Sequence, residues 1–434
     1  MKFKELNPSV RHTVLLLMVA AVFNGAIQSL GQTQDIIARK ALLAQDWQLM
    51  LMTMISPISN FLSIWWGRLF ERSRHKSRYF LLAGVFGRLV LVYAIWLTTM
   101  NEYLVIMGMM FSANSLLIPA QNTIYQKNIR DKRRAWVFGY ALSIGVGVSI
   151  ALTYVAGRLL DNSENSFRWI LAITGAAGFI SCFLLSRIKI NQPLIDIGLR
   201  KPKIKLRDVF LDPILRTRTL LKENKPFACF ERSFTLYGMG FIMMQPIIPI
   251  YMVDKLQLSY TNNFMAKGIL SQIGMLLLSP VLGKLHDKMH PLKYIGFSFA
   301  LLMVFPLLFV LSSIWAGESA IAVAIVFLAY SIFGVAMTGV NMAWNMSSIF
   351  FAGTQDAAMY QSVHVTLSGV RGLMAPVLGF ALLRLVSIES VFIVAAGFLA
   401  TASFMSFRDY HRIKYKSVDI IDNLSCQSTS QDDL

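Results

Sequence analysis

Several side chains that can bind a polar organic molecule lie inside long apolar runs of this sequence. Amide side chains offer both hydrogen-bond donors and acceptors, and an aromatic ring offers a flat apolar wall. Polar groups in apolar surroundings are costly, so they usually face a cavity or a partner. The amide and aromatic candidates for solute binding are Asn24, Gln28, Gln121, Gln245, Asn341, Trp344 and Asn345. The alternative interpretation is that these side chains only form contacts between helices.

Cationic and titratable side chains also lie within the apolar runs. Arg88 and Arg371 each need a partner or water, because an arginine in the middle of a hydrocarbon layer costs at least about 2.5–3.5 kcal/mol. We interpret Arg88 as structural, whereas Arg371 is a candidate for binding an anionic group of a solute. His364 shares a helical face with Arg371 and titrates near neutral pH, so it is a candidate for coupling to protons. A purely structural pairing stays an open alternative for Arg371 and His364.

Acidic residues are absent from the middle of the apolar runs. The acids closest to them are Asp35, Asp46, Glu102 and Glu231, and the sequence places all four near the ends of runs. Buried arginines without buried acids favour an anionic or zwitterionic solute over a cationic one.

The elements that must position these residues are membrane-spanning helices. Apolar residues make up 55% of the 434-residue chain and charged residues only 15%, whereas a soluble protein has about 25% charged residues. The formal charge of +18 does not indicate nucleic-acid binding, because the charges cluster between apolar runs that have the length of about 20 residues needed to cross a bilayer. We predict twelve spans, at residues 12–31, 47–66, 79–99, 102–124, 135–159, 167–187, 227–252, 262–282, 291–313, 319–345, 358–384 and 389–407.

Lysine and arginine are concentrated in the loops on one side of the predicted spans. The positive-inside rule therefore places the N- and C-termini in the cytoplasm. The predicted external loops contain no Asn-x-Ser/Thr acceptor for glycosylation, which favours a bacterial or organellar membrane over a glycosylated cell surface. The sequence thus predicts an integral, multi-pass protein of the bacterial inner (plasma) membrane.

A short basic loop occurs twice, at matching places in the two halves of the chain. Its copies share a glycine, an acid and a base at the same spacing: Gly67, Glu71 and Arg72 in the first, and Gly283, Asp287 and Lys288 in the second. Glycine permits close approach of helices, and the acid can pair with a helix N-terminus or with a cation of the adjoining bundle. The loop is therefore a candidate gating motif that latches one conformation. The alternative is that its basic residues only fix the topology.

The repeated loop and the span pattern together resemble the major facilitator superfamily. The signature of that family between spans two and three is similar to Gly-x-Leu-x-Asp-Arg-x-Gly-Arg-Arg/Lys. Gly67 and Arg72 match this signature, while Glu71 replaces its usual aspartate and Arg74 replaces its second glycine. The second copy of the loop departs from the signature after Lys288.

The resemblance implies an all-α polytopic membrane protein with twelve transmembrane helices in two six-helix bundles, the major facilitator fold. The expected parts are an N-terminal bundle (1–187), a cytoplasmic linker (188–226), a C-terminal bundle (227–408) and a disordered cytoplasmic tail (409–434). In this family spans one, four, seven and ten line a central cavity, which is where the amide and aromatic candidates are expected.

The function that the resemblance implies is secondary active transport of a small polar or anionic solute by alternating access, through proton or other ion coupling or by exchange. The alternative is an efflux antiporter for amphipathic drugs; a polytopic membrane enzyme or a non-transporting sensor is a weaker alternative. We expect no enzymatic activity, because the histidines are dispersed and no Walker-type loop is present. We also expect no cofactor or metal, a monomer, and as partners a small-molecule substrate, the lipid bilayer and protons, but no nucleic acid.

Overall fold

The chain is described from a computed structural model, which covers residues 8–72, 76–129, 131–190, 217–316, 319–352 and 357–429. Within these ranges the secondary structure is helical, without β-strands. The first half contains the helices α1 (Pro8–Lys40), α2 (Asp46–Arg72), α3 (Lys76–Gly87), α4 (Met100–Asn128), α5 (Asp131–Asn162) and α6 (Ser166–Ser186), and a 3₁₀-helix, Leu89–Trp96, follows α3.

The second half has the same number of long helices in its described residues. They are α7 (Lys225–Met244), α8 (Ser271–Lys288), α9 (Pro291–Ile314), α10 (Ser319–Ala352), α11 (Ala357–Leu385) and α12 (Ile388–Thr429). Two short helices lie between α7 and α8, and each runs into a π-helical segment: Ile247–Ile250 with Tyr251–Lys255, and Tyr260–Phe264 with Met265–Leu270. Most of the predicted linker falls outside the described residues, and α12 continues past residue 408, where the sequence places the start of a tail.

The helices of the two halves pack in the same pattern. In the first half α1 packs against α5 and α6, α2 against α4, and α3 against α4 and α6. In the second half α7 packs against α11 and α12, α8 against α10, and α9 against α10 and α12. Each pair of the second half corresponds to a pair of the first half shifted by six helices, so the protein is a duplicated helical bundle.

Nine stretches of the described residues are long and apolar enough to cross a membrane. They contain all the long helices except α2, α4 and α8. The predicted class, an all-helical polytopic membrane protein, is thereby confirmed. The count of twelve spans stays a prediction.

Helix α1 extends well beyond the predicted span 12–31. The residues that follow Gly31 are mostly polar, so their hydropathy excludes them from the predicted span. Helix α1 nevertheless continues to Lys40. Ile36 and Ile37 in this extension are fully buried, and their burial stabilises the added turns. The extension places Asp35 inside a helix, whereas the sequence places it beyond the end of an apolar run.

Side-chain caps determine where several helices begin. At the start of α7, the Asn224 side chain accepts a hydrogen bond from the backbone N–H of Phe227 at 3.0 Å. At the start of α4, Thr99 and Glu102 form a capping box, in which each side chain bonds the backbone of the other residue. These caps satisfy backbone N–H groups that have no partner within the helix.

The chain is interrupted at Gln245 and Pro246, between α7 and the helix Ile247–Ile250. Proline cannot donate a backbone hydrogen bond, and its ring clashes with the preceding turn. The N–H of Gln245 therefore bonds to Ile242 O, three residues back, at 3.2 Å. The π-helical segments that follow also depart from regular α geometry, and such segments are frequent at functional sites.

An aromatic cluster forms the core of the second half. The ring of Phe234 lies edge-on to that of Phe299 at 5.3 Å, and the ring of Tyr237 stacks on Phe299 at 4.8 Å. Phe227 and Phe230 extend the cluster along α7, stacked on each other at 6.3 Å. Edge-on and offset contacts of this kind stabilise beyond the area that they bury, so they fix α7 against α9.

The contact between α7 and α11 predicts the effect of a small substitution at Gly379. A Cβ at this position would overlap the backbone oxygen of Met243, so Gly379→Ala should destabilise the protein by about 1–3 kcal/mol, the usual cost of overpacking. Gly397→Ala is the matched control, because nothing lies within 4 Å of a Cβ there. The melting temperature of the purified protein in detergent should fall for the first variant only. Equal melting temperatures for the two variants would contradict the close contact.

Candidate functional site

A cavity of about 350 Å³ lies between the two halves of the protein. Its volume falls in the range that small-molecule sites occupy. Helices α1, α2 and α4 line it from the first half, and α7, α8, α9 and α10 line it from the second. We call it the central cavity.

Amide side chains line part of the cavity wall. Gln245 lies at the interruption after α7, and Asn341 lies on α10; both are sequence candidates, and both line the cavity. Gln32 and Gln34 of α1 and Gln272 of α8 are three further amides of the lining, and none of them is a sequence candidate. The Nε2 atom of Gln272 donates to Gly268 O at 2.5 Å and lies 3.4 Å from the Ser149 hydroxyl of the first half.

Aromatic side chains also line the cavity. Phe241, Phe305 and Phe333 are among them. The ring of Phe333 lies 4.7 Å from that of Phe305 and 6.0 Å from that of Phe241. A cavity lined by both amides and aromatic rings suits a molecule with hydrogen-bonding groups and a flat apolar portion.

An ion pair between the two halves also lines the central cavity. Asp35 of α1 pairs with Lys267, which lies in the π-helical segment Met265–Leu270. The two side chains are only 15% and 14% exposed. Lys267 lies inside the predicted span 262–282, and a charged residue inside a span is by itself a signal of function. Lys267 could therefore have been identified as a candidate from the sequence.

A second charge network closes one end of the bundle, which we call the Arg39 end. The Nε atom of Arg39 lies 3.0 Å from both carboxylate oxygens of Asp254. Asp46 joins Arg39 of the first half and Arg384 of the second half, with both N–O distances at 3.0 Å. Acids and bases therefore alternate in one network that crosses between the halves twice, and such a network contributes more than isolated surface pairs do.

Close backbone packing accompanies this network at the Arg39 end. A Cβ on Gly157 of α5 would lie 2.9 Å from the Cα atom of Thr261. The carboxylate of Asp161 accepts hydrogen bonds from the backbone N–H groups of Tyr260 at 2.6 Å and Thr261 at 2.9 Å. A first-half carboxylate thus caps a second-half helix, so the two halves are in tight contact at this end.

Three of the sequence candidates lie away from the central cavity. Asn24, Gln28 and Gln121 line a separate cavity of about 180 Å³ within the first half. Gln28 packs directly on α5, since a Cβ on Gly145 would lie 2.9 Å from its Nε2 atom. The structure brings these three amides together, but it does not bring them to Gln245 and Asn341.

The histidine candidate forms a buried pair in the second half. His364 Nδ1 lies 2.8 Å and 3.1 Å from the carboxylate oxygens of Glu231, and the side chains of the two residues are 0% and 2% exposed. The ring of the candidate Trp344 lies 5.4 Å from the His364 ring. Glu231 lies near the start of α7, as predicted from the sequence, and its buried carboxylate faces α11.

The arginine and the last amide candidate also have structural partners. Arg371 is buried and donates to Phe234 O at 2.7 Å and to the Ser368 hydroxyl at 2.5 Å. It is not among the described residues that line the central cavity, and its role in binding an anionic solute stays a prediction. Asn345 is exposed and donates to Asn341 O at 2.8 Å. Arg88, which we interpret as structural, donates to Asn114 of α4.

The candidate gating motif is described only in part. Gly67, Glu71, Arg72 and Asp287 belong to α2 and α8, but their side-chain positions lie outside the described part of the structure. Lys288 is exposed, and a Cβ on Gly283 would lie 3.3 Å from the methyl carbon of Met342. The latch role of the motif stays a prediction.

The fold is similar to those of solved transporters. A mutant of the nucleoside transporter NupG superposes with a TM-score of 0.71 at 14% sequence identity, covering 92% of this chain and 99% of that one. A POT family transporter in complex with a thioalcohol-conjugated peptide gives a TM-score of 0.71 at 14% identity, covering 93% and 96%. A bacterial homologue of the human lysosomal transporter Spinster, inward-facing and unoccupied, gives 0.61 at 13% identity, covering 93% and 99%.

The family assignment comes from the sequence itself. No curated protein matches the chain. The sequence model described as Major Facilitator Superfamily matches residues 13–376, which is most of both halves. Together with the duplicated bundle, this match shows that the chain belongs to the major facilitator superfamily of membrane transporters.

Proposed function

We propose that the protein is a secondary active transporter that moves a small polar organic solute by alternating access. The central cavity between the two halves is the observation that carries this proposal. A cavity at the interface of two bundles can open to either side of a membrane when the bundles rock about it. The ion pairs at the Arg39 end join side chains of different halves, so rocking would break and remake them.

The chemistry of the cavity wall supports a solute with both polar and apolar portions. Its amides can exchange hydrogen bonds with a solute, and its phenylalanines can cover a flat apolar group. The names of the similar structures mention nucleosides, a peptide conjugate and 5-aminolevulinic acid, all of which are small polar organic molecules. A purely anionic solute fits less well, because Arg371 is bonded within the second half.

The closed Arg39 end supports one conformational state of the proposed cycle. The positive-inside orientation puts this end outside the cell. With this orientation the external end is the closed one, and the Arg39–Asp254 network is the external latch. In uptake, solute release to the cytoplasm precedes opening of this latch. In export, solute binding from the cytoplasm precedes its opening, and release to the outside follows.

Proton coupling is the part of the proposal that Glu231 and His364 support. Both side chains are buried, and Arg371 is the nearest cation on the same face of α11. The Nε2 atom of His364 is buried without a hydrogen-bond partner among the described residues. A carboxylate and an imidazole at 2.8 Å can share a proton, and a proton gained there changes the net charge of a buried pair.

Export of amphipathic compounds is the second candidate function. The apolar part of the cavity wall favours it, since Met52, Met275 and Met337 line the cavity in addition to the phenylalanines. Methionine adapts its shape to varied apolar ligands. The amides distinguish the two candidates, because a transporter for apolar drugs does not depend on them.

Loss of an amide from the cavity wall should slow transport of a polar solute. Asn341→Leu leaves a polar group of the solute unpaired at a desolvated site, so uptake into proteoliposomes should fall about tenfold or more. Asn345→Leu, one turn further along α10 and exposed, is the matched control and should stay within about twofold. Equal losses in both variants would contradict a specific role of Asn341 in solute binding. Unchanged export of amphipathic compounds by Asn341→Leu would favour the second candidate function.

Weakening the latch should open the Arg39 end. Asp254→Asn removes a charge pair that stabilises the closed Arg39 end by up to about 1 kcal/mol. Its loss changes the ratio of closed to open conformers about fivefold. A cysteine placed in the cavity by Thr53→Cys, in a cysteine-free background, should react faster with a membrane-impermeant reagent added from this side. Glu389→Gln is the matched control, because Glu389 pairs with Lys255 within the second half. Unchanged labelling in Asp254→Asn would rule out the latch.

The proposed coupling predicts a loss of the response to a proton gradient. Wild-type uptake should accelerate when a pH gradient is imposed across the vesicle membrane, and His364→Gln should abolish that acceleration while solute exchange without a gradient continues. His411→Gln, at an exposed position on α12, should respond as the wild type does. A gradient response that persists in His364→Gln would remove this residue from the coupling mechanism.

A further inference from the structure

Among the described residues that line the central cavity, the charged ones are one acid and one base. They are Asp35 and Lys267, and both side chains are largely buried. The remaining described residues of the lining are amides, hydroxyl-bearing, aromatic, aliphatic or thioether side chains and a glycine. The cavity is therefore neutral in sum, but it presents a positive and a negative group side by side.

A neutral cavity with two opposite charges selects against solutes that carry a single charge. An anion would pair with Lys267 and leave Asp35 buried without its partner, and a cation would do the reverse. Removing one partner of a buried pair is strongly unfavourable. A solute with its own carboxylate and ammonium groups replaces the direct pair by two new pairs and leaves no charge unmatched.

Asp35 and Lys267 are well placed to replace their direct pair by two pairs with a solute. The Oδ1 atom of Asp35 accepts from the backbone N–H of Ile36 at 3.0 Å, while its Oδ2 atom faces Lys267. Lys267 is held on a π-helical segment whose backbone is fixed in part by the hydroxyl of Ser271, which donates to Lys267 O. Because Asp35 and Lys267 belong to different halves, a solute between them keeps the halves bridged.

The rest of the wall defines what else the solute carries. The rings of Phe241 and Phe333 and the amides Gln245 and Asn341 line the same cavity. We infer that the central cavity recognises an amino-acid-like zwitterion with an apolar or aromatic side group, binding its carboxylate through Lys267 and its ammonium group through Asp35. This inference rests on the proposed transport function and adds the charge pattern of the solute.

Thermal-shift measurements on the purified full-length protein test this recognition. The probes are a mixture of L-amino acids, the matched amines that lack the carboxylate, the matched carboxylic acids that lack the ammonium group, and a neutral set of nucleosides and sugars. Ligands that bind the folded state raise its melting temperature. The amino acids should give the largest rise, and the best of them should bind about tenfold more tightly than its amine or its acid.

Substitutions of the pair should change the preference in opposite directions. Asp35→Asn should bind the amino acid and the matched carboxylic acid equally well, because the ammonium group has lost its partner. Lys267→Gln should bind the amino acid and the matched amine equally well. Asp254→Asn, which breaks a pair between the halves outside the cavity lining, should keep the wild-type ratios.

Two results would overturn the inference. One is an equal loss for every solute in both Asp35→Asn and Lys267→Gln, since this is what a purely structural pair predicts. The other is stabilisation by the neutral set without stabilisation by amino acids, which leaves the proposed transport function standing. Failure of the proposed transport function would give a different result: the wild-type protein would bind amino acids but would not carry them into proteoliposomes.

Discussion

A charge buried in apolar surroundings needs an opposite charge close by, and the joining of the two halves depends on this constraint. Asp35 pairs with Lys267 at the central cavity, and Arg39 pairs with Asp254 at the end of the bundle. Each pair takes one partner from each half. Separating the halves therefore exposes unmatched charges, which only water or a solute can compensate. In the proposed cycle of alternating access, the states differ in where these charges find their partners.

The contacts that accompany the ion pairs combine close packing with buried rings. Gly157 brings the backbone of α5 close to the backbone of Thr261, and Gly268 lets the side chain of Thr153 come close. Tyr260 and Phe264 of the second half are almost fully buried at this contact, and the Tyr260 hydroxyl donates to the Glu164 carboxylate of the first half at 3.3 Å. The two halves are therefore joined by apolar contacts as well as by charged ones.

Much of the architecture could be predicted from the sequence, because span length, flanking charge and a repeated loop are local features. The cavity positions of Gln245 and Asn341 followed from the same repeat. The partners of the charged groups could not be predicted in this way. Asp35 and Lys267 are 232 residues apart, and no periodicity links them. The partner of Arg371 includes a backbone carbonyl, a group that every residue carries and that a sequence does not single out.

Helix α7 links the buried charges of the second half to the central cavity. Glu231 lies near its start, and Gln245 lies at the interruption where it ends. Arg371 lies against the middle of α7, where it bonds Phe234 O and occupies the space that a side chain on Gly238 would fill. The proposed proton coupling would change the charge of the Glu231–His364 pair and so act, through Arg371, on the same helix. Since the interruption after α7 frees the following segment to turn independently, a charge change at one end of α7 can alter the cavity wall at the other.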